Sequence, residues 1–593
     1  MQLKSLLLGV ATLLWCLIAI LPFASRIHYV PLPQWWGEML VVWLTLGAGV
    51  LLTVHGTLFE RLPRAALWCM LMAVCWAVHP LLVPTLFPGM NDATALAWGA
   101  LAVLACVTVA LRDEVGTVRL TVLLAYALIA GALVQTAIGF TQLSGLAQHM
   151  SGLVFYDSEH PTTNIFGHIG QRNQYAHYLM WGLIGGVYLH ATGRLGRIGF
   201  ALLTLWLALM VGWAGSRTTL LYVLAIAALG VLWHLRLRNE VSRRLMLAML
   251  FACGLVVAVQ FLLPVINHLL GVGVASGMQR LAANGDDMGA RRFAEMHKAW
   301  LVFRAHPLFG VGWSQFAKQS VDLQQLPQFA GDGFNSGLFT NAHNLILQLL
   351  AEMGGVVTAI VLLGFVWCIL PFFTRSAEAE GLLAVACIAV TSIHSMLEYP
   401  LWYLYFLGML VVFCALAPAQ GIRSVLLVRV PALAAMLALL GLSVQAIGHY
   451  NELVGLYTPL DNPKQDAKRM ARLSEIVDHE PLYAFHALYT LDNYLEAAPD
   501  TLPEKRRWIY LLAAIRPYPD VLLKKAEFEA GDKHPQQALA SLRLALASFP
   551  TYAGEFMEQL DDDNHPEWAP LRKECKAAYN RLPPAMRTRG DLD

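Results

Sequence analysis

The chain is 593 residues long, 57% apolar and only 14% charged, with a net charge of +1. Soluble domains carry close to a quarter charged residues, so this composition excludes a soluble globular protein, and the near-neutral balance gives no reason to expect a nucleic-acid partner. Eight of the nine cysteines lie in apolar stretches, where a thiol behaves as a small hydrophobe, and no C-x-x-C spacing suggests zinc or a disulfide framework.

In chain order, apolar runs long enough to cross a bilayer fall near 5–22, 38–54, 65–83, 93–111, 120–140, 173–191, 197–213, 217–234, 245–265, 343–372, 380–397, 400–417 and 425–447. They predict an all-α polytopic membrane protein with about 13 transmembrane helices. The first run resembles a signal-peptide core but has no convincing A-x-A cleavage site, and is read as a span. Arg61, Arg64, Arg112, Arg119, Arg236 and Arg238 fall in one set of loops, whereas the opposite short loops hold chiefly Arg26, Arg172 and Arg217. The positive-inside bias then puts Lys4 in the cytoplasm, and the loops 142–172 and 267–341 and the tail on the other side.

The expected division is N-terminal transmembrane helices over 1–265, a large outer loop over 266–342, C-terminal transmembrane helices over 343–449, and an outer helical domain over 450–593. Of the 40 acidic residues, 23 lie beyond Tyr450, which marks the end of the membrane part. The tail reads as helical hairpins with turns at Asp461-Asn462-Pro463, Pro499-Asp500 and Arg516-Pro517-Tyr518-Pro519. One stretch fits most of a tetratricopeptide pattern, with Ala526, Ala538, Leu542, Ala545 and Pro550 at its characteristic positions and Gly531 at the turn.

Arginines at the outer ends of spans are costly unless paired or hydrated. Snorkelling to lipid phosphates accounts for any one of them. Arg172, Arg217 and the pair Arg291-Arg292 on one outer face, together with His343, point instead to an anionic ligand, because the planar guanidinium binds phosphate oxygens bidentately. His343 is expected in the first turn of a membrane helix with Asn341 as N-cap; a helix N-terminus would favour the neutral imidazole that a general base requires. An interfacial histidine bonded to backbone is the plainer alternative. Glu352 and Glu398 are acids in or at the edge of spans and so functional candidates. Gly310-Val311-Gly312-Trp313 lacks the Lys-Ser/Thr of a phosphate loop and reads as a tight turn. Asp286-Asp287 reads as a solvated loop, since no regular ligand spacing supports a divalent ion.

Four stretches resemble the Wzy_C superfamily of bacterial envelope glycan ligases and polymerases, and within it the PglL-type protein O-oligosaccharyltransferases: 166–174 with Gln171-Arg172-Asn173, 291–313, Asn341-Ala342-His343-Asn344 with Glu352-Met353-Gly354-Gly355, and 394–403 with Glu398. The resemblance implies a GT-C-like membrane fold in the bacterial inner membrane with its active site facing the periplasm, and a reaction without metal or cofactor. It implies transfer of a preassembled glycan from an undecaprenyl-diphosphate carrier to serine or threonine of periplasmic, pilin-like proteins. His343 matches the family's essential histidine and Arg217 the arginine of its Ser-Arg motif. Arg292 is preferred over Arg291 for the third position, although Met296 stands where a tryptophan is often found. Arg172 would assist at the diphosphate, and Gln171, Asn173, Asn344, Glu352 and Glu398 would support the site. An O-antigen ligase acting on lipid A-core, an O-antigen polymerase, and a transporter of the lipid-linked glycan remain as alternatives.

Overall fold

The computed structural model describes residues 2–587 except 151, 278, 280–286, 331–336, 375–377, 419–420, 424–428, 461, 497–501, 563 and 585–586. Asp286, Asp461 and the turn expected at Pro499-Asp500 therefore lie outside the described residues. Regular structure is almost entirely helical; one short antiparallel pairing joins Arg61-Leu62 to Ile422-Arg423. Among the described residues, each of the expected spans overlaps a helix. Among the described residues, nine helices are long and apolar enough to cross a membrane. Three further ones, Gln2–Ile18, Ala379–Ser395 and Leu404–Ala415, are apolar but shorter. The helix Arg172–Ala191 is long enough, yet it carries Gln174, Tyr175, His177 and Tyr178 and is buried along almost its whole length. The chain is an all-α polytopic membrane protein.

The described chain divides into two compact units. The first comprises residues 1–74, 95–284 and 361–448. Arg172–Ala191 packs there against Thr117–Leu143, Arg197–Ala214 and Ala379–Ser395. Small residues permit the close approach: a Cβ on Gly182 would stand 2.4 Å from the Ala132 Cβ, and one on Gly185 3.0 Å from the Ala125 carbonyl. Without a strong hydrophobic drive between helices in lipid, such contact supplies the dispersion energy that holds them together.

The second unit comprises residues 75–94, 285–360 and 449–593, so the tail belongs to the same compact body as the segment before His343. At its centre the helix Leu345–Ile369 is broken at Gly354, whose φ of 72° and ψ of 177° are not helical. The break frees backbone groups, and the segment 307–312 takes them up. Val311 and Gly312 N–H donate to the Ala351 and Glu352 carbonyls at 3.0 and 2.9 Å, while Gly355 and Val356 N–H donate to the Pro307 and Leu308 carbonyls at 2.8 and 3.2 Å. His79 Nε2 meets the Phe309 carbonyl at 2.8 Å. The glycine turn is thus a backbone clasp on a broken helix.

In the tail, Pro519–Gly531 packs on Pro535–Ser548 with Ala526, Ala538, Leu542 and Ala545 buried. The turn differs in detail. Gly531 ends the first helix, and the left-handed residue is Lys533, with φ 60°.

The clasp makes a prediction. A Cβ on Gly354 would lie 2.3 Å from the Leu308 carbonyl oxygen, and the backbone there is left-handed. Gly354→Ala should cost about 2 kcal/mol or more from strain alone, with added loss from the displaced clasp. Thermal unfolding of the purified protein in detergent should show the fall; an unchanged midpoint would mean that the segment yields freely.

Candidate functional site

Within the second unit, His343 stands just outside a helix. The helix begins at Leu345, and Asn344 is its cap: Asn344 Oδ1 accepts the Leu347 N–H at 3.0 Å and its carbonyl accepts Gln348 N–H at 2.9 Å. His343 was expected in the first turn with Asn341 as cap, and both expectations are corrected by two to three residues. An asparagine three residows before an amide that needs an acceptor wins the cap. His343 instead holds a left-handed φ of 53°, a conformation uncommon for a residue with a side chain. Its Nδ1 meets the Asn341 carbonyl at 3.1 Å. A carbonyl only accepts, so Nδ1 carries the proton and the lone pair lies on Nε2. Burial first, and the Arg292 guanidinium second, lower the imidazole pKa from 6.5 to about 4; the Asn341 carbonyl and Glu295 act in the opposite direction. The neutral form is favoured, but through burial and an arginine rather than the helix end.

The adjacent arginines do different things. In the helix Asp287–Ala305, the residues Arg291, Glu295 and Lys298 follow at i, i+4 and i+7 and so share a face. That face is buried: Glu295 and Lys298 are 0% exposed. Arg291 Nε donates to Glu295 Oε1 at 3.0 Å, and Lys298 Nζ donates to Glu295 Oε1 at 2.9 Å and to Gln324 Oε1 at 2.6 Å. Ser320 Oγ donates to the other oxygen of Glu295. Arg291 also lies over the Phe339 ring at 5.3 Å, and that ring is 5.1 Å from His343. Ser548 and Phe549 of the tail border the same cleft. Arg291 is thereby tied into a buried ion cluster, while Arg292, one residue round the helix, acts on His343.

Glu352, 1% exposed, accepts the Phe316 N–H at 3.0 Å beside the clasp. It supports the segment around Gly310 and is aimed at backbone. Gln348, one turn earlier, accepts the Ala342 N–H on Oε1 at 2.7 Å and so anchors the residue before His343. Gln348 did not stand out in the sequence; a glutamine amid Leu345-Ile346-Leu347 and Leu349-Leu350 was the available signal.

The other expected residues belong to the first unit. Gln171 caps the helix Arg172–Ala191, its Oε1 accepting Gln174 N–H at 2.7 Å, so Arg172 is the first helical residue. Asn173 Nδ2 donates to Glu398 Oε1 at 3.1 Å, which ties this helix start to the turn after Ala379–Ser395. The preceding loop is pinned by two buried glutamines of Thr117–Leu143: Gln142 Oε1 accepts Gly167 N–H and Gln135 Oε1 accepts His168 N–H, both at 2.9 Å. Their spacing of seven in an apolar span is a signal that the sequence reading passed over. Arg217 lies in the short connection between Arg197–Ala214 and Thr219–Leu237, at the amino end of the latter. A cation there opposes the helix dipole, an arrangement that suits an anion bound at the same spot. Among the described residues, no group of three His, Cys, Asp or Glu is placed to hold a metal ion.

Three family models match the chain: one described as O-Antigen ligase over residues 200–362, one as Protein glycosylation ligase over 165–190, and one as Virulence factor membrane-bound polymerase, C-terminal, over 382–560. Among curated proteins, the chain is similar to a general O-oligosaccharyltransferase of Acinetobacter baylyi, 26% identical over 329 residues that make up 53% of this chain and 54% of that one. It is also similar to a ComP-specific O-oligosaccharyltransferase of the same organism, 25% identical over 260 residues, 43% of this chain and 44% of the relative. The chain spans about half the length of these curated relatives.

His343 generates a pH prediction. Its folded pKa, about 4, lies below the ordinary 6.5, so between those values the unfolded chain binds the extra proton. Its contribution to stability is therefore complete above about pH 6.5 and is lost as pH falls towards 4. Relative to a His343→Gln protein, wild type should lose thermal stability across that window, and Arg292→Gln should make the loss smaller. Parallel curves for wild type and His343→Gln would contradict the depressed pKa.

Proposed function

We propose that this chain, which belongs to the PglL-type branch of the O-antigen ligase superfamily, is an oligosaccharyltransferase that moves a preassembled glycan en bloc from undecaprenyl-diphosphate to serine or threonine hydroxyls of periplasmic, pilin-like proteins. The observation that carries the reading is His343, neutral, with its lone pair on Nε2 and with Arg292 acting on it. The names of the Acinetobacter relatives support a protein acceptor over lipid A-core. The enzyme would sit in the inner membrane with this chemistry on the periplasmic side, as the distribution of basic loop residues suggests.

The glycan's anomeric carbon is activated by its diphosphate. As the bond to that group breaks, negative charge grows on the leaving oxygen. Arg292 and Arg217 would offset it, with Arg172 assisting and Arg291 holding the helix that carries Arg292. The acceptor oxygen would attack from the opposite face, with inversion, as His343 Nε2 takes its proton. No metal or cofactor enters this scheme. An imidazole near pKa 4 is a weak base, chiefly through burial, and a diphosphate paired with Arg292 would cancel the arginine's smaller share of that lowering. The base would then strengthen when donor is bound.

His343→Ala should lower transfer by about 10²–10⁴-fold, the usual range for general acid–base catalysis, while the protein still inserts and binds donor. Arg217→Lys and Arg292→Lys should each lower transfer on the order of tenfold or more, because lysine keeps the charge without the fork, and Arg291→Lys should do less. The measurement is mass spectrometry of periplasmic and pilin-like proteins in a host that makes a lipid-linked glycan, with each variant and without the gene. Glycan appearing only on lipopolysaccharide would select a lipid ligase, and near-normal transfer by His343→Ala would reject the base.

A further inference from the structure

Arg516 lies in the connection between the tail helices Leu502–Ile515 and Pro519–Gly531, far along the chain from His343. Its Nη1 donates to the Ser314 carbonyl at 2.9 Å and its Nη2 to Ser314 Oγ at 2.6 Å. Nη1 also donates to the Ile515 carbonyl at 3.0 Å, and the guanidinium lies 5.2 Å over the Phe485 ring. Ser314 holds a left-handed φ of 64°, which these bonds retain. Two residues on, Phe316 N–H donates to the buried Glu352 carboxyl, which also lies in the field of the Arg516 guanidinium. Gln348 lies beside the same carboxyl and accepts the Ala342 N–H, one residue before His343. Phe316, Ala342 and Ala351 share one apolar cluster with Ala299 and Val302 from the helix that carries Arg292. Polar links and packing thus run by the same route from the tail arginine to the histidine.

We propose that Arg516 is a positioning residue for His343, acting through Ser314, Glu352 and Gln348 to hold the Ala342-His343 backbone; this rests on the reading of His343 as the base. A buried carboxylate needs a compensating charge. Without the guanidinium, Glu352 and the Ser314 turn lose their restraint, and Gln348 is released to pair elsewhere. The histidine then keeps its chemistry but loses its register with the hydroxyl. On this proposal the tail is a structural member of the catalytic unit as well as a surface for acceptors.

The test uses the full chain in proteoliposomes with a lipid-linked oligosaccharide donor and a protein acceptor. It compares Arg516→Met, Arg516→Met with Glu352→Gln, and Arg543→Ala, which removes an exposed tail ion pair with Glu574. Arg516→Met should lower kcat about 10- to 100-fold with donor KM changed less than about threefold, since small misplacements carry losses of that size. Amide exchange in 311–317 and 341–348 should quicken while 519–548 stays protected. Glu352→Gln should restore part of the loss, because a neutral amide does not depend on the guanidinium's field, and Arg543→Ala should change nothing. Wild-type kcat in Arg516→Met would overturn the proposal, as would exchange that rises throughout the tail with no recovery in the double variant. If wild type itself transfers no glycan but exchange at 341–348 still responds to Arg516→Met, the reading of His343 fails and the positioning stands. Normal transfer with unresponsive exchange has the opposite meaning.

Discussion

The break at Gly354 is the constraint on which the second unit depends. A helix interrupted there frees carbonyls at Ala351 and Glu352 and amides at Gly355 and Val356, and each buried group left unmet costs about as much as a lost hydrogen bond. The segment 307–312 meets all four, which fixes it against the helix. Only glycine serves at Gly310 and Gly354, since both hold positive φ and a Cβ at either would fall within 2.5 Å of backbone. Once the clasp is closed, Phe316 N–H reaches Glu352, Gln348 one turn earlier reaches Ala342, and the loop that carries His343 has its place.

Charge arranges the rest. Arg291 and Lys298 share the single carboxylate of Glu295, which accepts from both and from Ser320. A buried cluster of this kind is a weak source of stability, but breaking it strands charge and costs about 3–5 kcal/mol. It therefore fixes the rotation of the helix Asp287–Ala305 sharply. With Arg291 turned inward, Arg292 is offset by about 100° around the helix. The cluster commits Arg291 and leaves Arg292 on another side of the helix.

How much of this was legible in the sequence depends on the residue. The spans were, because apolarity over about twenty residues is a strong signal. The grouping of 285–360 with the tail was not, since nothing in local composition records which segments pack together. The start of the helix after His343 was misjudged because Asn341 and Asn344 are both good caps, and only the hydrogen bond to Leu347 decides between them. The arginine pair was open to a sharper reading. Read as a helix, the buried stripe Arg291, Ala294, Glu295, Lys298, Ala299 and Val302 follows i, i+3, i+4, i+7, i+8 and i+11, which marks Arg291 as inward. The break at Gly354 was hidden inside an apolar run that continues through it.

The two ends of His343 divide its work. Nδ1 is committed to the Asn341 carbonyl, which fixes the ring's tilt and tautomer whatever happens at the other nitrogen. Burial lowers the ring's pKa most, Arg292 lowers it further, and Glu295 pulls it up. Both charges stand on one helix, and Glu295 is held by the ion cluster, so its contribution is constant. An imidazole held this way stays neutral around pH 7. Rigidity of the clasp and the cluster keeps the field at the imidazole steady, because the energy between two charges depends on their separation.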